Sequence, residues 1–573
     1  MNVLNRLRAA FAAATPEGGD PASFMAAVRA ASDPKFGDYQ GNGCMALAKR
    51  LGKNPRELAA SVAATIDLSP LADKPEIAGP GFLNVRLRDE WIAEALGNLL
   101  GDERHGLTAP EEPKTVVVDF SSPNVAKPMH VGHIRSTVIG DSLARIFEAL
   151  GHRVVRDNHL GDWGSQFGMI LWGWKTARDD AAYEADPVAE LARLYRLAQE
   201  RIKEGDKAVE DAARAETAKL HAGDPENREL WQRFMPHCLK ALQAVYDRLG
   251  TRFDVELGES FYDPMLGSVV EDLIERGIAE ESDGAIVVFV DRKKAPFIIR
   301  KRDGAYNYGT TDLATIQYRV KTWNPDQILY VVDHRQGDHF KQLFHVARLW
   351  GYDEVDLQHV AFGTILGPDR RPFKTREGDV VGLESLLDEA VAEARKVVDA
   401  NSPDDATEDE KAHIAEVVGL GAIKYADLSQ NRLSDYVFDW SKMLAMNGNT
   451  ATYLQYAYAR IQSIFRRGGV DPEEIRQRKP EIFLSNPAER ALAVRILRLP
   501  EVLELAALEL KPNVLTDYLF DLANAFSTFF EECPVLKAES DERRDGRLAL
   551  CDLTASTLKF GLNLLGIDVV DRM

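Results

Sequence analysis

Residues 116–150, VVVDFSSPNVAKPMHVGHIRSTVIGDSLARIFEAL, leave room for few folds. Val116, Val117 and Val118 are consecutive and β-branched, as in a parallel strand covered on both faces. Ser121, Ser122, Pro123 and Asn124 break the run. Beyond His130, Ile134, Val138, Leu143, Ile146, Phe147 and Leu150 recur with a period of about 3.6, so a helix packs back on the sheet. A polar turn and a helix N-terminus therefore meet at the carboxyl end of a strand. Open α/β sheets bind nucleotides there.

His130-Val131-Gly132-His133 opens that helix. A helix N-terminus favours anions through its free N–H groups and dipole. Two imidazoles add donors for phosphate oxygens, and Gly132 lets a nucleotide approach closely. The alternative is a pair of solvated or capping histidines. SSPNVAKPMHVGHIRST resembles the HIGH signature of class I aminoacyl-tRNA synthetases, in the form found in arginyl-tRNA synthetases. NHLGDWGSQFG, residues 158–168, is similar to a second segment of that family, and the resemblance continues along most of the chain. It implies an α/β architecture: a Rossmann-like parallel-sheet catalytic domain with an insertion, a small N-terminal α/β module and a C-terminal α-helical bundle. The implied activity is ATP-dependent ligation of L-arginine to tRNA(Arg) through arginyl-adenylate. ATP with its Mg²⁺ is the implied cofactor, and no protein-bound zinc or other metal is expected.

Composition bounds this reading. The 573 residues suffice for two to four domains, and 45% hydrophobic with 28% charged residues describes an ordinary soluble protein. Cys44, Cys238, Cys533 and Cys551 are scattered without zinc or disulfide spacing. No membrane-length apolar run or signal-peptide layout is read, so a cytoplasmic monomer is the expectation. The net charge of −20 opposes general nucleic-acid affinity, so a tRNA partner has to use local basic patches. Arg292, Lys293, Lys294, Arg300, Lys301 and Arg302 form the densest one.

Three domains are expected. Residues 1–110 read as a separate small α/β module, with PASFMAAVRAA helical and a strand after Pro80-Gly81. Residues 114–400 hold the parallel sheet, with charged helices at about 172–250 inserted between its two halves. Residues 405–573 are wholly helical in pattern.

The resemblance also assigns residues. Phosphates fall to His130, Gly132, His133, Lys374 and Arg376, with Lys127 compensating for a lysine missing from the KMSKS-like loop. Catalysis rests on His130, His133, Lys127 and Lys374. The amino acid falls to Asn124, Asn158, Glu259, Tyr308, Asp312 and Gln336, since a planar guanidinium calls for carboxylates in matched geometry and an aromatic along its face. The tRNA falls to Phe82 and Asn84 in the first module and Tyr453, Tyr456 and Tyr518 in the bundle. Simpler readings stand beside these: Glu259 as a turn residue in water, Asp312 as a helix cap, the tyrosines as core. The competing functions are a class I synthetase for another amino acid and a catalytically inactive synthetase-like tRNA-binding or regulatory protein.

Overall fold

The structure is a computed structural model that describes all residues except Met1, 292–294, 372, 374–380 and 402–404. It divides into two units: Met1–Ala109 with Ala400–Val417 and Ala445–Met573, and Pro110–Asp399 with Val418–Leu444.

In the first unit, β1 (Val28–Ala30), β2 (Tyr39–Gly41), β3 (Glu76–Ala78) and β4 (Phe82–Val85) form an antiparallel sheet in the order β1-β2-β4-β3. PASFMAAVRAA is only partly helical: the helix ends at Ala26, and Val28 turns into β1 to pair with Gly41. This module does not stand apart from the C-terminal helices. Arg490, on the helix Pro487–Leu497, donates to both Asp38 carboxylate oxygens at 2.9 Å, to Asp89 at 2.6 Å and to Leu87 O at 2.9 Å. The buried Tyr39 hydroxyl donates to Glu501 at 3.0 Å. Charge-assisted bonds of this kind, shielded from water, tie the module and the bundle into one body.

The second unit is built on β5 (Thr115–Asp119), β6 (Arg153–Leu160) and β7 (Val255–Gly258). After these come β8 (Glu280–Ser282), β9 (Ala285–Val288) and β10 (Phe297–Arg300), then β11 (Gln327–Tyr330), β12 (Asp356–His359), β13 (Ile365–Leu366) and β14 (Tyr436–Val437). The main sheet has the order β12-β11-β5-β6-β7 and is parallel throughout. The chain runs outward from β5 to β7, then returns to start the other half at β11. The order therefore switches between β5 and β11, which opens a crevice at their carboxyl ends. The helices from Ser165 to Leu249 lie between β6 and β7, inside the first half. Their expected place between the halves is taken instead by the antiparallel sheet β10-β9-β8. β12 ends at His359, because beyond Val360, whose N–H still donates to Tyr330 O, the chain pairs Gly363 with Arg432.

One buried cation holds the crevice together. Arg319, on the helix Tyr308–Trp323, is fully buried and bonds Asp157 of β6 at 2.8 Å and Asp119 of β5 at 2.7 Å. Removing one partner of such a group strands the other charges in a low dielectric. Arg319→Met should therefore cost roughly 3–5 kcal/mol, read as a lower urea midpoint for this unit. Asp157→Asn on that background should recover part of the loss, since burial and Asp119 already push the Asp157 carboxyl up.

Candidate active site

The helix expected after His130 runs from Gly132 to Ala149. It lies close against the strand end: a Cβ on Gly140 would sit 2.3 Å from Phe120. Between them, Ser121 and Ser122 take left-handed φ values of 68° and 46°, costly for residues with side chains. A side-chain network holds this turn. Ser121 N–H donates to Ser136 Oγ (2.9 Å), Ser122 N–H to Asn158 Oδ1 (3.1 Å), and Ser122 Oγ to Asp119 (2.8 Å). Tyr246, from the helix Pro225–Leu249, places its hydroxyl 2.9 Å from Ser121 Oγ.

Asn158 thus stands differently from expectation. The strand continues two residues past it, the turn folds over it, and its amide joins Ser122 to Tyr246. It is fully buried and supports the turn. Asn124 is half-buried and lies against the backbone of Gly161, where a Cβ would come within 2.4 Å of its Oδ1.

The histidines support each other. His130 N–H donates to His133 Nδ1 at 3.0 Å, and Gly132 N–H donates to His130 Nδ1 at 3.1 Å. A neutral imidazole whose Nδ1 accepts carries its proton on Nε2, which leaves His130 an Nε2–H donor, while His133 Nδ1 lies 3.0 Å from His130 N and 3.2 Å from His130 O. Gly132 serves this arrangement too, because a Cβ there would press on the His130 ring at 2.9 Å. Burial lowers the His130 pKa, with Lys127 adding to the shift. Burial, with His130 and Lys127 nearby, takes His133 down to about 3. Lys127 is lowered by burial as well. The segment also pairs with the chain beyond residue 380: Val131 N–H donates to Val381 O at 3.0 Å, and Leu383 N–H donates to Met129 O at 3.0 Å. Lys374 and Arg376 lie outside the described residues, as do Arg292, Lys293 and Lys294 of the basic patch.

A second group of side chains gathers around Asp312. The helix starts at Tyr308, earlier than the sequence suggests, so Asp312 falls in the second turn and cannot cap it. Asp312 Oδ2 instead lies 2.6 Å from His339 Nε2. Tyr308 is 61% exposed, its ring centroid 4.8 Å from that of His339. Glu259 begins the short helix Glu259–Tyr262 just after β7 and is not a solvated turn residue. Burial raises its pKa, and the carboxylates of Asp162 and Asp312 raise it further. Asp162 itself accepts from Ser260 N–H at 2.9 Å and from Ser260 Oγ at 2.5 Å, which seats the start of that helix. Gln336 is exposed, at the end of a short 3-10 turn. A carboxyl raised by neighbouring carboxylates, as Glu259 is, favours a cation beside it. Among the described residues no group of three or more His, Cys, Asp or Glu could hold a metal ion.

Sequence reasoning passed over Arg319, Tyr246 and Asp162. Arg319 alone carried a signal: it lies two turns from Asp312 and interrupts the apolar stripe of Leu313 and Ile316.

In the first unit, Phe82 is half-buried, while Asn84 is buried and accepts from Gln40 Nε2 at 2.7 Å. Tyr456 is 39% exposed, and Tyr453 is half-buried with its hydroxyl on Asn524 at 3.1 Å. Tyr518 is buried, with its hydroxyl on Arg495 O at 3.0 Å. Its ring is core and offers no stacking face, so its expected tRNA contact is withdrawn.

A strand-turn-helix at the switch point of a parallel sheet, with two histidines at the helix start, is the arrangement of a class I tRNA synthetase. The family model "tRNA synthetases class I (R), catalytic domain" matches residues 95–440. The DALR anticodon binding domain matches 454–573, and the arginyl tRNA synthetase N terminal domain matches 2–87. The arginine–tRNA ligase of Rhodopirellula baltica is 45% identical over 673 residues, covering 100% of both chains. That of Klebsiella pneumoniae is 46% identical over 584 residues, with the same coverage. The arginyl-tRNA synthetase of Plasmodium falciparum superposes with a TM-score of 0.82 at 30% identity, over 100% of this chain and 98% of that one. The Thermus thermophilus enzyme gives 0.83 at 27% identity, over 99% and 100%. The chain belongs to the arginyl-tRNA synthetase family.

The depressed His133 pKa has a consequence for stability. Its ordinary value is 6.5, so below that pH the unfolded chain takes up a proton that the folded chain refuses. This contribution is complete above pH 6.5 and is lost as the pH falls from 6.5 towards about 3. His133→Asn should weaken the acid sensitivity of folding in that window. Nitrogen chemical shifts of labelled His133 should show a neutral ring that does not titrate between pH 8 and pH 5.

Proposed function

We propose that this chain ligates L-arginine to tRNA(Arg) using ATP. The observation that carries the reading is the pairing of two sites at one sheet edge: two neutral histidine donors at a helix start, and the acidic pocket of Glu259 and Asp312 with Tyr308 beside it. In the first step the arginine carboxylate attacks the α-phosphorus of ATP in line, and pyrophosphate leaves. In the second, a terminal ribose hydroxyl of the tRNA, the 2′-OH by class, attacks the arginyl carbonyl and AMP leaves. No covalent enzyme nucleophile is required, so the protein contributes positioning and charge stabilisation.

His130 and His133 donate Nε2–H to the phosphates, and Gly132 leaves both the ring of His130 and the nucleotide their space. Lys127 adds its charge from the same loop. Lys374 and Arg376 belong to the triphosphate in this reading, and a divalent ion arrives with ATP. Asn124 and Gln336 hold the amino-acid backbone end, while Glu259, Asp312 and Tyr308 take the guanidinium. Asn158 keeps the turn in place. On the tRNA side, the half-exposed Phe82, Tyr453 and Tyr456 are the contacts retained, with Asn84 orienting Gln40 beside Phe82. The assignment to another amino acid is disfavoured by the acidic pocket, and an inactive relative would have no use for paired phosphate donors.

Arginine-dependent pyrophosphate exchange and aminoacylation of total tRNA test the reading directly. Other amino acids should support neither. Asp312→Asn should raise the KM for arginine by about one to two orders of magnitude, the scale of a lost charge-assisted hydrogen bond, while the KM for ATP stays put. His133→Ala should slow adenylate formation by roughly 10²-fold, the effect of one lost donor at a developing charge.

A further inference from the structure

His339 touches Asp312, and the packing around it is built to keep it there. Its Nε2 lies 2.6 Å from Asp312 Oδ2, with side-chain exposures of 11% for the histidine and 28% for the aspartate. Phe297 stacks on the imidazole at 5.8 Å and 26°, and Phe340 meets it at 5.4 Å and 66°. Tyr308 closes a third side at 4.8 Å and 55°. Phe297 is buried on β10 and reaches this place because Gly309 lacks a side chain; a Cβ there would strike its ring at 2.5 Å. The first turns of the helices Tyr308–Trp323 and Gly337–Leu349 are thus keyed together through one imidazole.

The chemistry of Asp312 explains why such a key matters. The terminal torsion of an aspartate is broad, so an unheld carboxylate samples many planes. A guanidinium is read by a carboxylate that lies in its plane, whereas an ammonium accepts nearly any orientation. A donor fixed on Oδ2 locks the plane and leaves Oδ1 and the second lone pair of Oδ2 for the substrate.

We infer that His339 is a positioning residue for arginine selection: its Nε2–H sets the carboxylate plane of Asp312 and so favours a planar guanidinium over an ammonium. This rests on the arginine reading of the pocket given above. His339 donates to the carboxylate and not to the substrate, so its effect should appear in arginine recognition and not in the nucleotide.

The test compares His339→Phe with His339→Gln in the full chain, by pyrophosphate exchange with and without tRNA at varied arginine and varied ATP. Phenylalanine keeps the ring packed on Phe297 without a donor. Glutamine places an amide N–H near the position of Nε2. His339→Phe should raise the KM for arginine about ten- to a hundred-fold, as for a hydrogen bond to a charged group, and leave the KM for ATP within twofold. His339→Gln should recover most of the loss. On an Asp312→Asn background His339→Phe should add little, a result that holds even if the single variant is poorly stable. An unchanged arginine KM in His339→Phe, or equal defects in the Phe and Gln variants, overturns the inference while wild-type exchange with arginine still stands. Absence of arginine-dependent exchange in the wild type with tRNA present overturns the reading of the pocket itself.

Discussion

Arg319 is the constraint on which the rest of the second unit depends. It reaches from the helix Tyr308–Trp323 to Asp119 at the end of β5 and Asp157 within β6, with no exposure to water. Two carboxylates facing each other across paired strands would repel if left alone. The guanidinium, planar and with donors on several edges, is suited to satisfy both. The same contact aligns the helix. Because Asp312 lies two turns towards its N-terminus on the same face, the cation that holds the strands also sets where the pocket acid stands.

The histidine helix is held by a second buried pair. Arg135, one turn into the signature helix, lies 3.0 Å from Asp427 and donates to Ser434 O at 3.0 Å. Its guanidinium also faces the rings of Phe362 and Tyr436. Ser434 and Tyr436 belong to the strip that pairs in parallel with Ile365 and Leu366. The histidine helix is therefore fixed to the chain on either side of residues 372–380 by an ion pair, a short ladder and the backbone bonds at Val131 and Leu383. Strain in the Ser121–Ser122 turn is tolerated because this frame over-determines it, with Asn158, Ser136 and Tyr246 each holding one atom of the turn.

The helices between β6 and β7 contribute to the site without reaching the crevice by charge. Trp231 donates to Asp162 O at 2.9 Å, and His221 Nε2 lies 2.7 Å from Trp163 O with the two rings stacked at 5.3 Å. These bonds press the Gly161–Gly164 loop down against the start of the Glu259 helix. A segment that reads as solvated surface in sequence is a brace for the amino-acid side of the site.

The parallel sheet, the histidine helix, the helical C-terminal half and the family itself are legible in the sequence. Consecutive β-branched residues, a helical period and motif spacing are local properties that survive without a fold. Asp312, Tyr308 and Glu259 were legible as residue types for the same reason. Only the tertiary structure decided which simple readings fail. It removed Asp312 from the cap by starting its helix at Tyr308, and buried Tyr518 and Asn158 in contacts with residues far away in the chain. It also placed the charged helices inside one half of the sheet and joined the N-terminal module to the bundle through Arg490. Above all it paired Arg319 with Asp119 and Asp157, and His339 with Asp312. A buried charge is stable only beside partners that the chain delivers from distant positions, and no periodicity along the sequence records which partners those are.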